Sequence, residues 1–362
     1  MIELNQPRVD QPQESEAIPS ASVITVGYNS RERLEVYLPT ALACRGKYEV
    51  IISDNGSIDG SLEYLEREFP QVRVLRNGKN LGFAAANNRA AEVADYEILV
   101  FVNPDTAVDP DWLYHLLRPF KDPAVGATTS KIKLMSDSNR LNTCGNTVHI
   151  SGLTLCRGLG RSKDLYRCMD EVDAISGAAF AMRREIFEQL GGFDEDFFLY
   201  MEETDLSVRA RLAGWKCLYV PESIVLHDYD LRFGPNKTFY QERNRYLMLL
   251  KNFKWRTLLV LSPAFALAEI VTWGFVLIAD RKHWRNKFRA YGWTLSNLKT
   301  ILRKRRTTQQ LRKVTDRVLL KRAAVRLDFG QAAKGSISRL ADVVFTPLFY
   351  ATRLLARALV WW

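Results

Sequence analysis

The chain is poorest in the residues that most often reveal a function directly. It has four histidines and five cysteines in 362 residues. Cys44, Cys144, Cys156, Cys168 and Cys217 form no C-x-x-C pair. Three of them recur every 12 residues, but nothing around them repeats. Buried or idle thiols are therefore expected, not a metal cage or a disulfide framework. No G-x-S-x-G elbow is present, so a Ser-His-Asp hydrolase has nothing to rest on. The dinucleotide fingerprint G-x-G-x-x-G and the P-loop G-x-x-x-x-G-K-[ST] are missing as well. The opening "MIELNQPRVDQPQESEAIPS" lacks the apolar core of a signal peptide. Residues 1–20 are expected to form a disordered leader, with the body staying in the cytoplasm. Acid is scarce at the other end: residues 236–362 carry 26 Lys/Arg against 6 Asp/Glu, and residues 1–235 carry 25 against 35. An acidic, metal-using body over 21–235 joined to a basic binding region over 236–362 follows from that division.

Alternating short β-rich runs and helical stretches fill the first part of the body. The runs are "SVITVGYN", "YEVIISDN", "VRVLRN" and "YEILVFVN", and amphipathic stretches lie at 30–44, 58–69 and 83–94. Hydrophobic strands separated by helices predict an α/β fold with a parallel sheet covered on both faces. The strands end on Asn29, Asp54-Asn55, Asn77 and Asn103-Pro104-Asp105, and such carboxyl ends should converge on one crevice. Asp109 is expected to cap a helix with Pro110 in its first position. Residues 125–160 are less regular. Beyond them the pattern predicts a strand at 179–182, helices at 184–190 and 202–213, and two strands, "KCLYV" and "SIVLH", the second ending on His227.

Several acidic residues invite a chemical role. Asn-Pro-Asp makes a good turn by itself. Yet Asp105 follows the most hydrophobic strand of the set, where a carboxylate can hold a hard divalent cation, Mg²⁺ or Mn²⁺, that would neutralise a diphosphate. Asp54 and Asn55 stand at the equivalent point of the second strand, and Gly56 permits a tight turn there. Glu202, Glu203 and Asp205 suit the first turn of a helix, and Asp205 can pair with Arg209 at i+4. Two adjacent glutamates after Phe197-Phe198-Leu199-Tyr200 are also placed for general-base work, because desolvation beside apolar rings raises a carboxyl pKa.

Taken in order, "TVGYNS", "ISDNGSIDGS", "NGKNLGFAAANN", "FVNPDT", "SGAAFAMRR", "GGFDEDFFLYMEETDLSVR" and "VLH" resemble the family 2 glycosyltransferases, nearest to the rhamnosyltransferase-like branch. The resemblance covers residues 23–246. It implies a GT-A fold, a Rossmann-like sheet with a smaller acceptor-side region. It also implies inverting transfer of a sugar from a nucleotide-diphosphate donor, dTDP-L-rhamnose in that branch, to a lipid-linked saccharide in cell-surface polysaccharide synthesis. Carried over, Tyr28, Asn29, Asp54, Asn55, Asn80, Asn88 and Asn103 fall on the donor side. Asp105 and His227 become metal ligands, with Asn103 standing where relatives have an acid. Glu203 becomes the catalytic base next to Glu202, one methylene longer than the usual aspartate. Gly177, Asp194 and Tyr200 fall on the acceptor side, and Arg243 or Arg245 would stabilise the leaving diphosphate. "QERNRY" departs from the Q-x-x-R-W signature of processive synthases, so addition of one or a few sugars is expected.

The C-terminal region predicts a membrane partner. Residues 257–279 are long enough to cross a bilayer. Glu269 would cost roughly 2 to 3 kcal/mol at its centre, and Pro263 would kink it. Interfacial or re-entrant insertion is the favoured reading; a span and a soluble core helix are the alternatives. The basic residues of 281–326 would hold the protein against anionic lipid on the cytoplasmic face, as a peripheral or monotopic protein. In the last segment Arg339, Asp342, Thr346, Tyr350, Arg353 and Arg357 form a polar stripe on an apolar helix ending in two tryptophans. The rival class is nucleic-acid binding, which the basic charge suggests but no motif supports. An inactive relative serving as a membrane scaffold is a third reading, and a homo-oligomer is compatible with each.

Overall fold

The computed structural model describes residues 18–229, 235–328 and 336–362, the side chains of 336–340 excepted. Twelve strands and thirteen α-helices are found among them. The strands are β1 (Ala21–Gly27), β2 (Tyr48–Asp54), β3 (Arg73–Arg76), β4 (Ile98–Val102), β5 (Thr106–Val108), β6 (Val125–Leu134), β7 (Leu141–Thr143), β8 (Asn146–Val148), β9 (Thr154–Cys156), β10 (Asp170–Glu171), β11 (Ala179–Arg183) and β12 (Lys216–His227). The body's helices are α1 (Arg31–Leu42), α2 (Ser61–Glu68), α3 (Gly82–Glu92), α4 (Trp112–Leu117), α5 (Arg184–Gln189) and α6 (Glu202–Leu212). The C-terminal ones are α7 (Lys237–Asn252), α8 (Trp255–Val260), α9 (Ser262–Ala279), α10 (Arg285–Ser296), α11 (Leu298–Gln310), α12 (Asp316–Arg322) and α13 (Ser336–Leu359).

The main sheet runs β10-β12-β6-β11-β4-β1-β2-β3, with β5 against β12 and β7 against β6. It is mixed, which corrects the expected parallel sheet. β1, β2, β3 and β4 pair in parallel, but β11 is antiparallel to both β4 and β6. Both faces are nevertheless covered: Val23 and Val100 pack beneath α1 and α4, and Ile24, Leu99 and Phe101 pack beneath α3 and α5. Alternation along each strand sends neighbours to opposite cores.

Four local expectations change. The strands expected at "KCLYV" and "SIVLH" are one strand, β12, with an irregularity between Val220 and Ile224. Asp109 does not cap α4. Pro110 sits in a turn closed by the Trp112 N–H on the Asp109 carbonyl (2.9 Å), and the helix starts after Asp111. The apolar run at 257–279 is broken at Leu261 into α8 and α9. Pro263 therefore falls in the first turn of α9, where its missing N–H costs nothing and no kink results. Of the expected leader, residues 1–17 lie outside the described residues, but Ile18 packs on the first core and the Ser20 carbonyl accepts from Ile98 N.

A third core joins the C-terminal helices to the body. Phe197, Val208 and Leu212 share it with Leu247, Leu261, Ile301, Leu319 and Phe349. Glu269, the acid that would have been costly in a bilayer, is partnered here. Its Oε1 accepts from Arg245 and Tyr246, and its Oε2 accepts from Tyr291 and from Lys287 Nζ at 2.9 Å.

Candidate active site

Strand register assembles the first half of the site. β12 lies antiparallel to β5 with His227 opposite Thr106, and Asp228 N donates to the Asp105 carbonyl (2.9 Å). His227 is thereby set beside Asp105, with Nε2 3.2 Å from Oδ1. Its other nitrogen, Nδ1, lies 2.9 Å from Asn142 Oδ1. Burial would raise the Asp105 carboxyl, but the contact with His227 outweighs it and holds the group below its ordinary value. A carboxylate oxygen and an imidazole nitrogen 3.2 Å apart can pair directly or share a divalent cation. Adjacent ligands of an octahedral Mg²⁺ or Mn²⁺ stand roughly 3 Å apart, so the pair fits such an ion. Among the described residues no third His, Cys, Asp or Glu joins them. That leaves positions for phosphate and water, which is how Mg²⁺ is usually held.

The second half is the start of α6. Glu202 is buried, with Oε2 lacking any hydrogen bond, while Glu203 is mostly buried in the cleft wall. Burial raises both carboxyl pKa values, and for Glu202 the neighbouring Glu203 charge raises it further, well above the ordinary value. Asn146 Nδ2 and Thr204 Oγ1 each donate to Glu203 Oε1 at 3.3 Å and oppose the rise. Asn146 Nδ2 also donates to the Ile175 carbonyl (3.3 Å), which can only accept, and this sets the amide with its NH2 towards Glu203. Gly177 backs the carboxylate: a Cβ there would stand 3.6 Å from Glu203 Cδ. Glu203, His227, Asn103, Gly177 and Tyr200 line one cleft of 440 Å³.

A further group lies at the ends of β1 and β2. The Asp54 carboxylate accepts from Gly56 N (2.9 Å) and Ser57 N (3.1 Å), forming the turn that its sequence predicted. Asn29, at φ 49°, accepts from Ile58 N, and Tyr28 beside it is half-exposed. Asn55 donates to the Gly82 carbonyl, and Asn80 accepts from Gly82 N. These two asparagines brace the α3 entrance.

Four expected site residues are occupied elsewhere. Arg245 is fully buried against Glu242 (2.9 Å) and Glu269, and Arg243 is spent on the carbonyls of Asp196 and Phe197. Neither lines the cleft, so neither is available to a leaving diphosphate. A guanidinium that cannot reach water must find acceptors within the fold, and these two did. Asp194 is clamped by Lys251 (2.6 Å) and Lys304 and is not free on the acceptor side. Asn88 binds the backbone of Phe193 through both amide atoms (2.9 Å each), fastening α3 to the loop before α6. Asn142, Thr143 and Asn146 were missed. Their only sequence signal is a pair of asparagines around the Gly145 turn of "LNTCGNTV".

Residues 22–191 match the family model "Glycosyl transferase family 2". The chain is 31% identical over 229 residues to the N-acetylglucosaminyl-diphospho-decaprenol L-rhamnosyltransferase of Mycobacterium tuberculosis, covering 57% of this chain and 75% of the relative. Among solved structures it is similar to GalNAc-T7 with UDP, GalNAc and Mn²⁺ (TM-score 0.58, 19% identity, 79% of this chain and 58% of that one). It is also similar to the mannosyltransferase PcManGT of Pyrobaculum calidifontis with GDP-Man and Mn²⁺ (TM-score 0.51, 15% identity, 96% and 91%). The mixed sheet is thus that of a GT-A fold, and the chain belongs to the family 2 glycosyltransferases, an enzyme that transfers sugar.

Proposed function

We propose that this enzyme transfers a hexose, L-rhamnose from dTDP-L-rhamnose, with inversion and without processivity, to a hydroxyl of a lipid-linked saccharide. The observation that carries the reading is the cleft that holds a desolvated Glu203 together with the His227 that faces Asp105. The relative named for rhamnosyl transfer to a decaprenol-linked sugar supports the acceptor class and the sugar transferred. In the reaction the acceptor oxygen attacks the anomeric carbon, whose bond to the diphosphate oxygen breaks with the electron pair leaving on the diphosphate. Glu203 takes the hydroxyl proton, and no covalent nucleophile is needed. Asp105 and His227 would hold a divalent ion, Mg²⁺ or Mn²⁺, whose charge offsets that developing on the leaving group. Asn103 lines the cleft close by, and Lys237 is the cation in its wall.

Rhamnosyl transfer from dTDP-L-rhamnose to a GlcNAc-diphosphoprenyl acceptor tests the reading. Activity is expected to vanish with EDTA, to return with Mn²⁺ or Mg²⁺, and to be lost in Asp105→Ala. Unchanged turnover in EDTA would defeat the metal assignment. Absence of transfer from any nucleotide-diphosphate sugar would defeat the whole reading.

The exposed C-terminal surface supports a membrane partner. Among the described residues, 18 of the 24 exposed large hydrophobic residues lie at or beyond Trp255, so the C-terminal helices carry most of the exposed apolar side chains. The source of the attraction differs from expectation. Lys287, Lys304, Arg305 and Arg312 are tied to internal carboxylates or carbonyls, so only part of the basic stretch can face lipid. Arg281, Lys282 and Arg285 are exposed beside Trp284 and Phe288, the composition of an interfacial anchor. Part of the polar stripe of α13 is tied to the body, while Tyr350 and Arg357 stay exposed. Asp342 pairs with Arg326, and Arg353 binds the carbonyls of Ala323 and Lys321, leaving Val343, Leu348, Leu354 and Leu359 outside. Arg339 lies outside the described side chains. The protein is expected to float with vesicles containing anionic lipid, and Trp284→Glu with Phe288→Glu to reduce that flotation; equal flotation of the double variant would remove this contact.

A further inference from the structure

The cleft that holds Glu203 does not end at the sheet. It continues between the β8–β9 hairpin and α9, where its wall changes from polar to apolar: Leu153 and Leu155 on one side, Val271, Phe275 and Val276 on the other. Val271 and Phe275 are four apart on α9, as are Thr272 and Val276, so one face of the helix supplies this wall. Ile270 and Leu277, seven apart, are exposed on another face. α9 is therefore a partition, apolar towards the cleft and apolar towards the outside.

The partition is pinned in place. Lys287 of α10 is fully buried and bridges Glu242 of α7 (2.8 Å), Glu269 (2.9 Å) and Thr272 Oγ1 (2.8 Å) of α9. Because Glu269 is engaged with α7 and α10, α9 cannot leave to span a bilayer without stranding charge. Held there, it keeps open a greasy limb that a free sugar acceptor has no use for.

We infer that this limb seats the first isoprenoid units of a prenyl-diphosphate-linked acceptor, which enters sideways from the bilayer along α9 and brings its sugar hydroxyl to Glu203. The inference rests on the lipid-linked acceptor proposed above and assigns it a place. The continuity of one cleft from the reacting carboxylate to an exposed apolar helix is what commits the occupant to a lipid chain. A polar partner would leave Leu155, Val271 and Phe275 facing water or unpaired groups.

The test is photolabelling of the full-length protein with a benzophenone-bearing farnesyl diphosphate. Labels are expected on peptides containing Leu155 and Val271–Phe275, competed by unlabelled farnesyl diphosphate and reduced in Leu155→Trp and Val271→Trp. In turnover the same variants should raise KM for a long-chain acceptor by about tenfold, about 1.4 kcal/mol of binding. A short-alkyl acceptor carrying the same saccharide diphosphate should keep its KM. Label that falls on α13 or resists competition overturns the passage, as does an equal loss with both acceptors. Labelling at α9 without sugar transfer would leave the passage standing and sink the transferase assignment; transfer without labelling there would do the reverse.

Discussion

Glu203→Gln is expected to lower kcat by about 10² to 10⁴-fold, the usual contribution of a positioned general base, while leaving nucleotide binding unchanged. Gln keeps the shape and the bond from Asn146 but cannot take a proton. Glu202→Gln is the informative contrast. Burial and the Glu203 charge raise the Glu202 carboxyl well above its ordinary value, which favours the protonated form, so a neutral amide should cost little turnover. Asn146→Ala separates positioning from chemistry. Its donation lowers the Glu203 pKa, so its removal should move the acid limb of kcat/KM to higher pH, because the base must be ionised to act. A merely structural role for Asn146 would reduce activity without moving that limb. Retention of full kcat in Glu203→Gln, with loss in Glu202→Gln, would transfer the base to Glu202.

Lys287→Met should be the most destabilising single change in the C-terminal helices, by about 3 to 5 kcal/mol. Lys287 is 0% exposed and shares Glu242 and Glu269 with Arg245. Its removal leaves the buried Glu242 and the partly buried Glu269 on one guanidinium. Adding Glu269→Gln restores the balance, so the double variant should be more stable than Lys287→Met alone in urea unfolding. Acid unfolding gives an independent measure. Burial raises the Glu269 pKa, but Arg245, Tyr246, Tyr291 and Lys287 outweigh it and hold the group near 2. A carboxyl depressed on folding stabilises fully above its unfolded value, about 4.3, and loses that contribution as pH falls towards 2. Lys287→Met should therefore shift acid unfolding to higher pH. A stability loss below about 1 kcal/mol, the range of exposed pairs, would show that water already reaches the network.

Much of this protein is legible along the chain because local patterning is physical. Strand endings at Asp54 and Asn103–Asp105 could be read because apolar runs stop where a sheet meets its crevice. The order of seven soft motifs was enough to indicate the family that the family model then matched. The glutamate pair at the start of α6 stood out as acid beside aromatic residues, which is a local property.

What the chain could not express is which distant groups compete for which charge. That His227 faces Asp105 is a consequence of β12 pairing antiparallel with β5, a register set between segments far apart in sequence. Asn146 reaches Glu203 only because β8 folds back beside α6. Arg243 and Arg245 carry the sequence pattern of phosphate ligands, but the helices around them supply buried acceptors first, and a desolvated cation binds whatever acceptor shares its burial. α9 (Ser262–Ala279) is long and apolar enough to cross a membrane, and the partners of Glu269 tie it to α7 and α10. Composition and period fixed which segments are apolar and where acids stand; only the tertiary packing decided which acids remained free to act and which became structure, because burial, not sequence, sets the cost of leaving a charge alone.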